Sequence, residues 1–316
     1  MKESDKPIIS YIPRFFEYLD IEKGLSGASQ ETYSRLIHKF LGWLKENNLE
    51  SLKPHELTQK HLWDYRVYLS RRINPHKRTP LARSTQNHYL IVLRNLLKFF
   101  TDIDVLSLPA EKIKLPKNKS DQRIIKFLAL DQIKKLLEAP DTSNVLGLRD
   151  KAILEVFFST GLRIAELISL DKEQIKIKPG SVGLEIVMIG KGNRPRPVYF
   201  SSRALKWLKQ YLDTRKDKEK ALFISYNGPK RASARLSSRS IENIVKKYAT
   251  AAGAPNFTTP HTLRHSFATD LLEKGVDLRE IQEFLGHKNI GTTQIYAHVT
   301  SKKLRDIHKK FHSLEE

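Results

Sequence analysis

Between His261 and Tyr296 the chain places four side chains suited to one phosphoryl chemistry: His261, Arg264, His287 and Tyr296. Thr259 stands where it can cap free amides and Pro260 where it can fill a first helical position, so a helix is predicted to begin here. His261 and Arg264 then fall three residues apart on one face of its first turn. Amides at a helix start already favour an anion, and two such donors beside them make a cradle for phosphate oxygens. Downstream, Leu271, Leu272, Leu278, Ile281, Phe284 and Leu285 recur at helical spacing as core, with Gly275 and Gly286 as helix stops. His287 therefore emerges just past a helix end. Tyr296 falls on the next short helical segment, where its hydroxyl can swing toward whatever the basic groups hold.

Each of these residues also has an ordinary reading, since His and Tyr are commonly half-buried packing residues. The combination, not any member, carries the inference. His261 and His265 are four apart, a spacing that can bind metal. A zinc-protease helix, however, needs a glutamate within that pair, where this chain has Leu263 and Arg264, and a cation there opposes a metal.

Composition narrows the partner. Lys and Arg number 56 against 35 Asp and Glu, a formal net charge of +21 over 316 residues. Such an excess calls for a polyanion, either nucleic acid or an anionic membrane surface. No apolar run of membrane-spanning length occurs, and the start MKESDKPIIS does not read as a signal peptide, so nucleic acid is expected and no membrane association. The absence of cysteine excludes disulfides, thiolate metal sites and cysteine nucleophiles, and fits a cytoplasmic location. The length suggests two domains, and no internal repeat is visible.

The elements that must position these groups follow from periodicity. Ile8, Ile12, Phe15, Phe16 and Leu19 predict a helix from residue 7 to about 22, with a break at 24–28. Ser29 is expected to cap a second helix with Tyr33, Leu36, Ile37, Phe40, Leu41 and Leu44 inward. Thr58 precedes a third (Leu62, Tyr65, Leu69), and Ser84 opens a fourth (Leu90, Leu93, Leu96, Leu97, Phe100) after the basic segment 71–78. Residues 1–111 thus read as an all-helical bundle whose basic loops face either phosphates or plain solvent. From 112 to 126, Lys112, Lys114, Lys117, Lys119, Arg123 and Lys126 oppose one Asp121, predicting a basic interdomain linker able to lie along a phosphate backbone.

The second domain, 127–316, is expected to open with Asp131 capping a helix. A longer apolar helix follows from about Leu148 to Ser159, ended by Gly161. Arg163 begins the next, and Glu166 sits one turn on, close enough to orient a neighbouring basic group. The period then changes. Leu184, Ile186 and Met188 alternate, Gly190-Lys191-Gly192-Asn193 makes a turn, and Pro197 to Phe200 resumes extended chain, a β-hairpin with Lys191 at its tip. A tip lysine is solvent-facing by default, and the same exposure lets it deliver an ammonium to a bound backbone. Neither a Walker spacing nor a dinucleotide fingerprint is present. Helices near 202–214 and 238–252 lead to the opening stretch. Leu304, Ile307, Phe311 and Leu314 line one face of a tail helix that packs either on its own domain or on another copy.

With these residues in order, the chain resembles the tyrosine recombinase (phage integrase) family and, within it, the Xer-type site-specific recombinases. The segments TGLRIAELISL, HTLRHSFATDLLEKGVDLREIQEFLGH and TTQIYAHV are very close to the family's motif boxes. Arg163, Lys191, His261, Arg264, His287 and Tyr296 match in order, with no departure among the six. The resemblance implies a mainly α fold with a small β-hairpin. It also implies a SAM-like helical core-binding domain and a mixed α/β catalytic domain that close as a C-shaped clamp on double-stranded DNA.

For the chemistry, the resemblance implies that Tyr296 attacks the scissile phosphate, giving a 3′-phosphotyrosyl link and a free 5′-hydroxyl. Arg163 and Arg264 would hold nonbridging oxygens, and Lys191 would protonate the leaving 5′-oxygen. His261 would move the phenol proton, His287 would hydrogen-bond the phosphoryl group, and Glu166 would support His261 and the first arginine. Protein cations stand in for metal ions, so neither Mg²⁺, another cofactor nor ATP is implied. Strand exchange through a Holliday junction would be run by a homotetramer on two DNA sites, a dimer per site, with tails exchanged between neighbours. A second recombinase or a DNA translocase is a further candidate partner. Chromosome or plasmid dimer resolution is preferred to integration of a mobile element, because no added N-terminal arm-site domain is visible. The alternatives are a type IB topoisomerase-like strand transferase, acting as a monomer on supercoiled DNA, and a DNA-binding protein with an idle site.

Overall fold

A computed structural model describes residues 1–74, 78–115, 126–178, 180–190, 194–226 and 234–286. The chain divides into two compact units, Met1–Asp121 and Gln122–Glu316. Most of the expected linker, like the hairpin tip and the tail, lies outside the described residues.

The first unit is a bundle of α1 (Ile12–Ile21), α2 (Gly27–Glu46), α3 (Gln59–Arg71) and α4 (Arg83–Asp102). Its core is apolar at helical spacing, as the periodicity requires: Phe15 and Leu19 from α1, Ile37, Phe40 and Leu44 from α2, Tyr65 and Leu69 from α3, and Leu93, Leu96 and Phe100 from α4. Rings lock the helices together. Phe40 meets Tyr65 edge-on at 5.1 Å, and Tyr11 meets Phe100 edge-on at 5.3 Å.

Two of these helices begin earlier than the capping residues suggested. Helix α2 starts after Ser26, whose extended backbone presents its carbonyl to the Ser29 and Gln30 amides at 2.8 and 3.0 Å. Ser29 is therefore already inside the helix. Likewise Ala82, not Ser84, precedes α4 and accepts from Gln86 at 3.0 Å. In both places the carbonyl of the flanking residue makes the first helical bond whether or not its side chain can cap. Thr58 does cap α3, accepting from the His61 amide.

The second unit contains α5 (Leu130–Glu138), α6 (Val145–Thr160) and α7 (Ile164–Ser169). Strands β1 (Gly183–Gly190) and β2 (Arg194–Ser201) follow, then α8 (Ser202–Asp213), α9 (Ser238–Ala251), α10 (Pro260–Glu273) and α11 (Leu278–Leu285). Asp131 lies within the first turn of α5 rather than capping it. Ala129 precedes the helix, and Gln132 reaches back to its amide at 3.0 Å. Helix α6 is buried nearly all round, as expected of a helix at the centre of a domain. Its charged residues are neutralised internally: Lys151 and Glu155 pair at 3.1 Å, and Arg203 joins Glu155 at 2.9 Å.

Strands β1 and β2 pair antiparallel with Ile186 opposite Val198 and Met188 opposite Arg196. Alternation sends Ile186, Met188, Val198 and Phe200 into the core and leaves Val187, Ile189 and Tyr199 exposed. Arg196 lies on the inward face with them. The molecule is mostly helical with a two-stranded antiparallel sheet, and no described helix is long and apolar enough to cross a membrane.

Candidate active site

Local sequence builds the first half of the site. Helix α6 ends at Gly161, whose φ of 59° is left-handed and favours glycine. A Cβ at this position would stand 2.4 Å from the Phe267 ring, so glycine is required twice over. The chain then reverses into α7, where Arg163 occupies the N-cap. Glu166, one turn on, accepts from the Arg163 amide at 2.8 Å and from its Nη1 at 2.8 Å. Burial raises the Glu166 pKa, but the Arg163 amide, the Arg196 charge and the Arg163 guanidinium outweigh that and hold the carboxyl below its ordinary value.

The second half comes from α10 and α11. Thr259 caps α10, accepting from the Thr262 amide at 3.2 Å, and Pro260 opens the helix. Ser266 ties α10 to the start of the unit, accepting from the Leu128 amide at 2.8 Å. Helix α11 ends at Gly286, whose φ of 63° again places glycine at a left-handed cap.

These elements bring the arginines together. Arg264 is buried, with Nη1 on the Gly161 carbonyl at 2.5 Å and Nη2 on the Leu285 carbonyl. Arg163 donates from Nη2 to the Gly286 carbonyl at 3.1 Å and keeps 30% of its side chain exposed. A third guanidinium, Arg196, donates from Nη2 to Glu166 at 2.6 Å and from Nη1 to the Phe284 carbonyl at 2.7 Å. Three consecutive carbonyls at the end of α11 therefore each receive an arginine. That end carries the negative pole of the helix dipole, which favours gathered cations there. The assembly sets three guanidinium groups against one carboxylate and is held by hydrogen bonds, the kind of preorganised environment that stabilises negative charge developing on a phosphoryl group.

The structure amends two expectations. His261 and Arg264 do not form an open cradle as a pair: His261 is exposed, whereas Arg264 points inward to the two carbonyls. The reason is that Arg264 closes the junction between α6 and α11, which local spacing cannot show. Glu166 orients Arg163 as expected, but its second cation is Arg196; His261 is not among its hydrogen-bond partners. Arg196 was missed. Its signal was its place in strand register with Val198 and Phe200, a cation on an otherwise apolar face.

His265 stands beside His261, ring centroids 6.5 Å apart. Burial, His261 and Arg264 together push its pKa down to about 4, so it is neutral near pH 7. Among the described residues no cluster of His, Asp and Glu gathers closely enough to hold a metal ion. Lys191, His287 and Tyr296 lie outside the described residues. An apolar groove of about 420 Å³ is bordered by Pro197, Tyr199, Phe267, Leu271 and Phe284.

Comparison with known proteins covers nearly the whole chain. The model of the Phage integrase family matches residues 126–303, and that of the Phage integrase, N-terminal SAM-like domain matches residues 12–102. The chain is 35% identical over 309 residues to tyrosine recombinase XerD of Listeria innocua serovar 6a, covering 95% of this chain and 98% of the relative. It is also 35% identical over 308 residues to tyrosine recombinase XerC of Natranaerobius thermophilus, covering 94% and 97%. Among solved structures, the XerH site-specific recombinase in a post-cleavage complex with palindromic difH substrate shares the fold. Its TM-score is 0.74 at 21% identity, with 99% of both chains covered.

Proposed function

Because the chain belongs to the phage integrase family, the tyrosine recombinases, we propose that it is a site-specific DNA recombinase whose Tyr296 becomes joined to a DNA 3′-phosphate. The observation that carries this reading is the convergence of Arg163 and Arg264 on the end of α11 immediately before His287. Arg163 retains exposed guanidinium surface, and Arg264 stands beside it as fixed positive charge. Such an arrangement offsets charge on the nonbridging oxygens without a mobile ion. By family resemblance, Lys191 protonates the 5′-oxygen leaving group, His261 moves the phenol proton and His287 hydrogen-bonds the phosphoryl group.

The reaction is a transesterification. The phenol oxygen bonds to phosphorus, the 5′-oxygen leaves with a proton, and the ester energy is stored in the phosphotyrosine. The 5′-hydroxyl of a partner strand then reverses the attack. Two rounds of exchange, through a Holliday junction, would yield recombinant DNA.

In this reading the residues up to 111 form a core-binding domain, 112–126 a basic linker, and the remainder a catalytic domain that grips the same duplex. The net charge of +21 supports a DNA partner. Four copies would act on two sites, each lending its tail from Leu304 to a neighbour, and the apolar groove beside Phe284 suits such a guest. We assign the biological role to dimer resolution on a bacterial chromosome or plasmid, in the cytoplasm, over integration of mobile DNA.

The test is covalent capture. Fragmented genomic DNA from the source cell, nicked to trap intermediates, is incubated with the protein in EDTA, and DNA linked to protein is sequenced. A single recovered locus with a 3′-phosphotyrosyl adduct, lost in Tyr296→Phe, supports the proposal. Relaxation of supercoiled plasmids lacking that locus would transfer the protein to the topoisomerase class, and absence of any adduct would leave it a binding protein. Deleting residues 302–316 should abolish cooperative binding of two protomers in a mobility-shift assay; unchanged cooperativity would mean the tail packs in cis.

A further inference from the structure

Arg196 is a charged residue placed where the hairpin's alternation calls for an apolar one, and it is buried to 7% exposure. Both its terminal nitrogens are committed, Nη2 to Glu166 and Nη1 to the Phe284 carbonyl. It packs so closely on the end of α11 that a Cβ at Gly286 would stand 2.6 Å from its Cδ and 2.8 Å from its Nε. Glu166 holds Arg163 on its other oxygen, and Arg163 in turn holds the Gly286 carbonyl. The result is a closed loop of contacts: Arg196, Glu166, Arg163, Gly286 and back through Phe284.

Resting on the recombinase reading, we infer that Arg196 is a positioning residue for strand cleavage. By holding Glu166 and the Phe284 carbonyl at once, it sets the place of the Arg163 guanidinium relative to the turn that leads into His287. It also anchors the first residues of β2. A buried guanidinium is a poor source of stability, because removing it from water offsets much of what its pair gains. Its worth here lies in geometry. Only a planar fork spans a carboxylate and a carbonyl in one rigid unit; a lysine ammonium meets them as a point charge on a flexible stem.

The experiment compares wild type, Arg196→Lys, Arg196→Met and Gly286→Ala. The substrate is a nicked duplex of the captured sequence, assayed in single turnover at saturating protein, alongside duplex affinity and thermal melting. Arg196→Met should lower the cleavage rate by about 100-fold or more, as a misplacement near 1 Å can. Arg196→Lys should be nearly as slow, while duplex affinity stays within about threefold of wild type, since a side chain this buried offers almost no surface to a duplex. Gly286→Ala, which displaces Arg196 without altering it, should reproduce the loss.

A pH profile separates positioning from mere support of the fold. Glu166 must stay ionised to orient Arg163, and among the described residues Arg163 and Arg196 are the cations facing it. Arg196→Met removes one of them, so the acidic limb of the rate profile should move to higher pH, whereas Arg196→Lys should leave that limb in place. Cleavage by Arg196→Met within threefold of wild type, a loss that only tracks melting or affinity, or an unmoved acidic limb would each overturn the inference. Wild type is assayed in parallel: no wild-type adduct would overturn the recombinase reading, and a normal wild type beside a normal Arg196→Met would overturn this inference alone.

Discussion

Arg163 and Arg264 donate to neighbouring carbonyls of one helix end, Arg163 to Gly286 and Arg264 to Leu285. Arg163 stands at the N-cap of α7, whereas Arg264 lies within α10. The end of α11 is their common reference, and the segment containing His287 begins at the next residue.

This shared tether predicts that charge alone will not substitute for shape. Arg163→Lys keeps a cation but cannot donate to both Glu166 and Gly286 in one plane. Single-turnover cleavage should fall by roughly 10²–10³, about 3–4 kcal/mol of transition-state stabilisation, with duplex affinity little changed. Equal loss of affinity and rate would show that Arg163 serves binding uniformly instead.

Gly161 should tolerate nothing larger. Alanine there meets a left-handed φ of 59° and the Phe267 ring at 2.4 Å. Gly161→Ala should cost on the order of 2–3 kcal/mol by chemical denaturation, combining backbone strain with overpacking. Adding Phe267→Leu should recover the steric part and leave the strain. Because the Gly161 carbonyl holds Arg264, the folded fraction should also cleave more slowly.

His265 predicts a pH-dependent stability of definite sign. Its folded pKa of about 4 lies below the unfolded value of 6.5, so the unfolded chain binds the extra proton between those values. The neutral-ring contribution is fully present above about pH 6.5 and is lost as pH falls toward 4, up to roughly 3 kcal/mol. Melting of wild type and His265→Gln at pH 7.5 and pH 5 isolates this term. The difference between the two proteins should narrow at the lower pH; a constant difference would mean that the ring's titration is not coupled to folding.

Lys191, assigned as the leaving-group acid, should reveal itself through the leaving group. Lys191→Ala should lose about 100-fold or more on an ordinary phosphodiester. It should lose little on a duplex whose scissile 5′-oxygen is replaced by sulfur, because a thiolate departs without protonation. An equal defect on both substrates would assign Lys191 to DNA contact.

Much of the fold was legible because it rests on short-range rules. The apolar spacing of Phe40 and Leu44, or of Leu93, Leu96 and Phe100, names an inward face directly. Gly161 and Gly286 marked helix ends because few other residues accept a left-handed backbone. Helix starts were less legible. Spacing points to Ser29 and Asp131 as caps and to Ser84 as a helix opening, whereas the first helical carbonyls belong to Ser26, Ala129 and Ala82.

What the sequence by itself supplied was the inventory: Arg163, Lys191, His261, Arg264, His287 and Tyr296 as residue types suited to phosphoryl chemistry, and the Glu166 turn that orients Arg163. These follow from residue type and spacings within a turn or two of helix. The tertiary structure decided which groups face one another. Arg264 turned inward to Gly161 and Leu285 rather than outward with His261, and Arg196 took the second side of Glu166. The physical reason is that a buried guanidinium must find acceptors wherever packing delivers them, and here packing delivers the carbonyls of α6 and α11, elements distant in the chain whose approach no local pattern encodes.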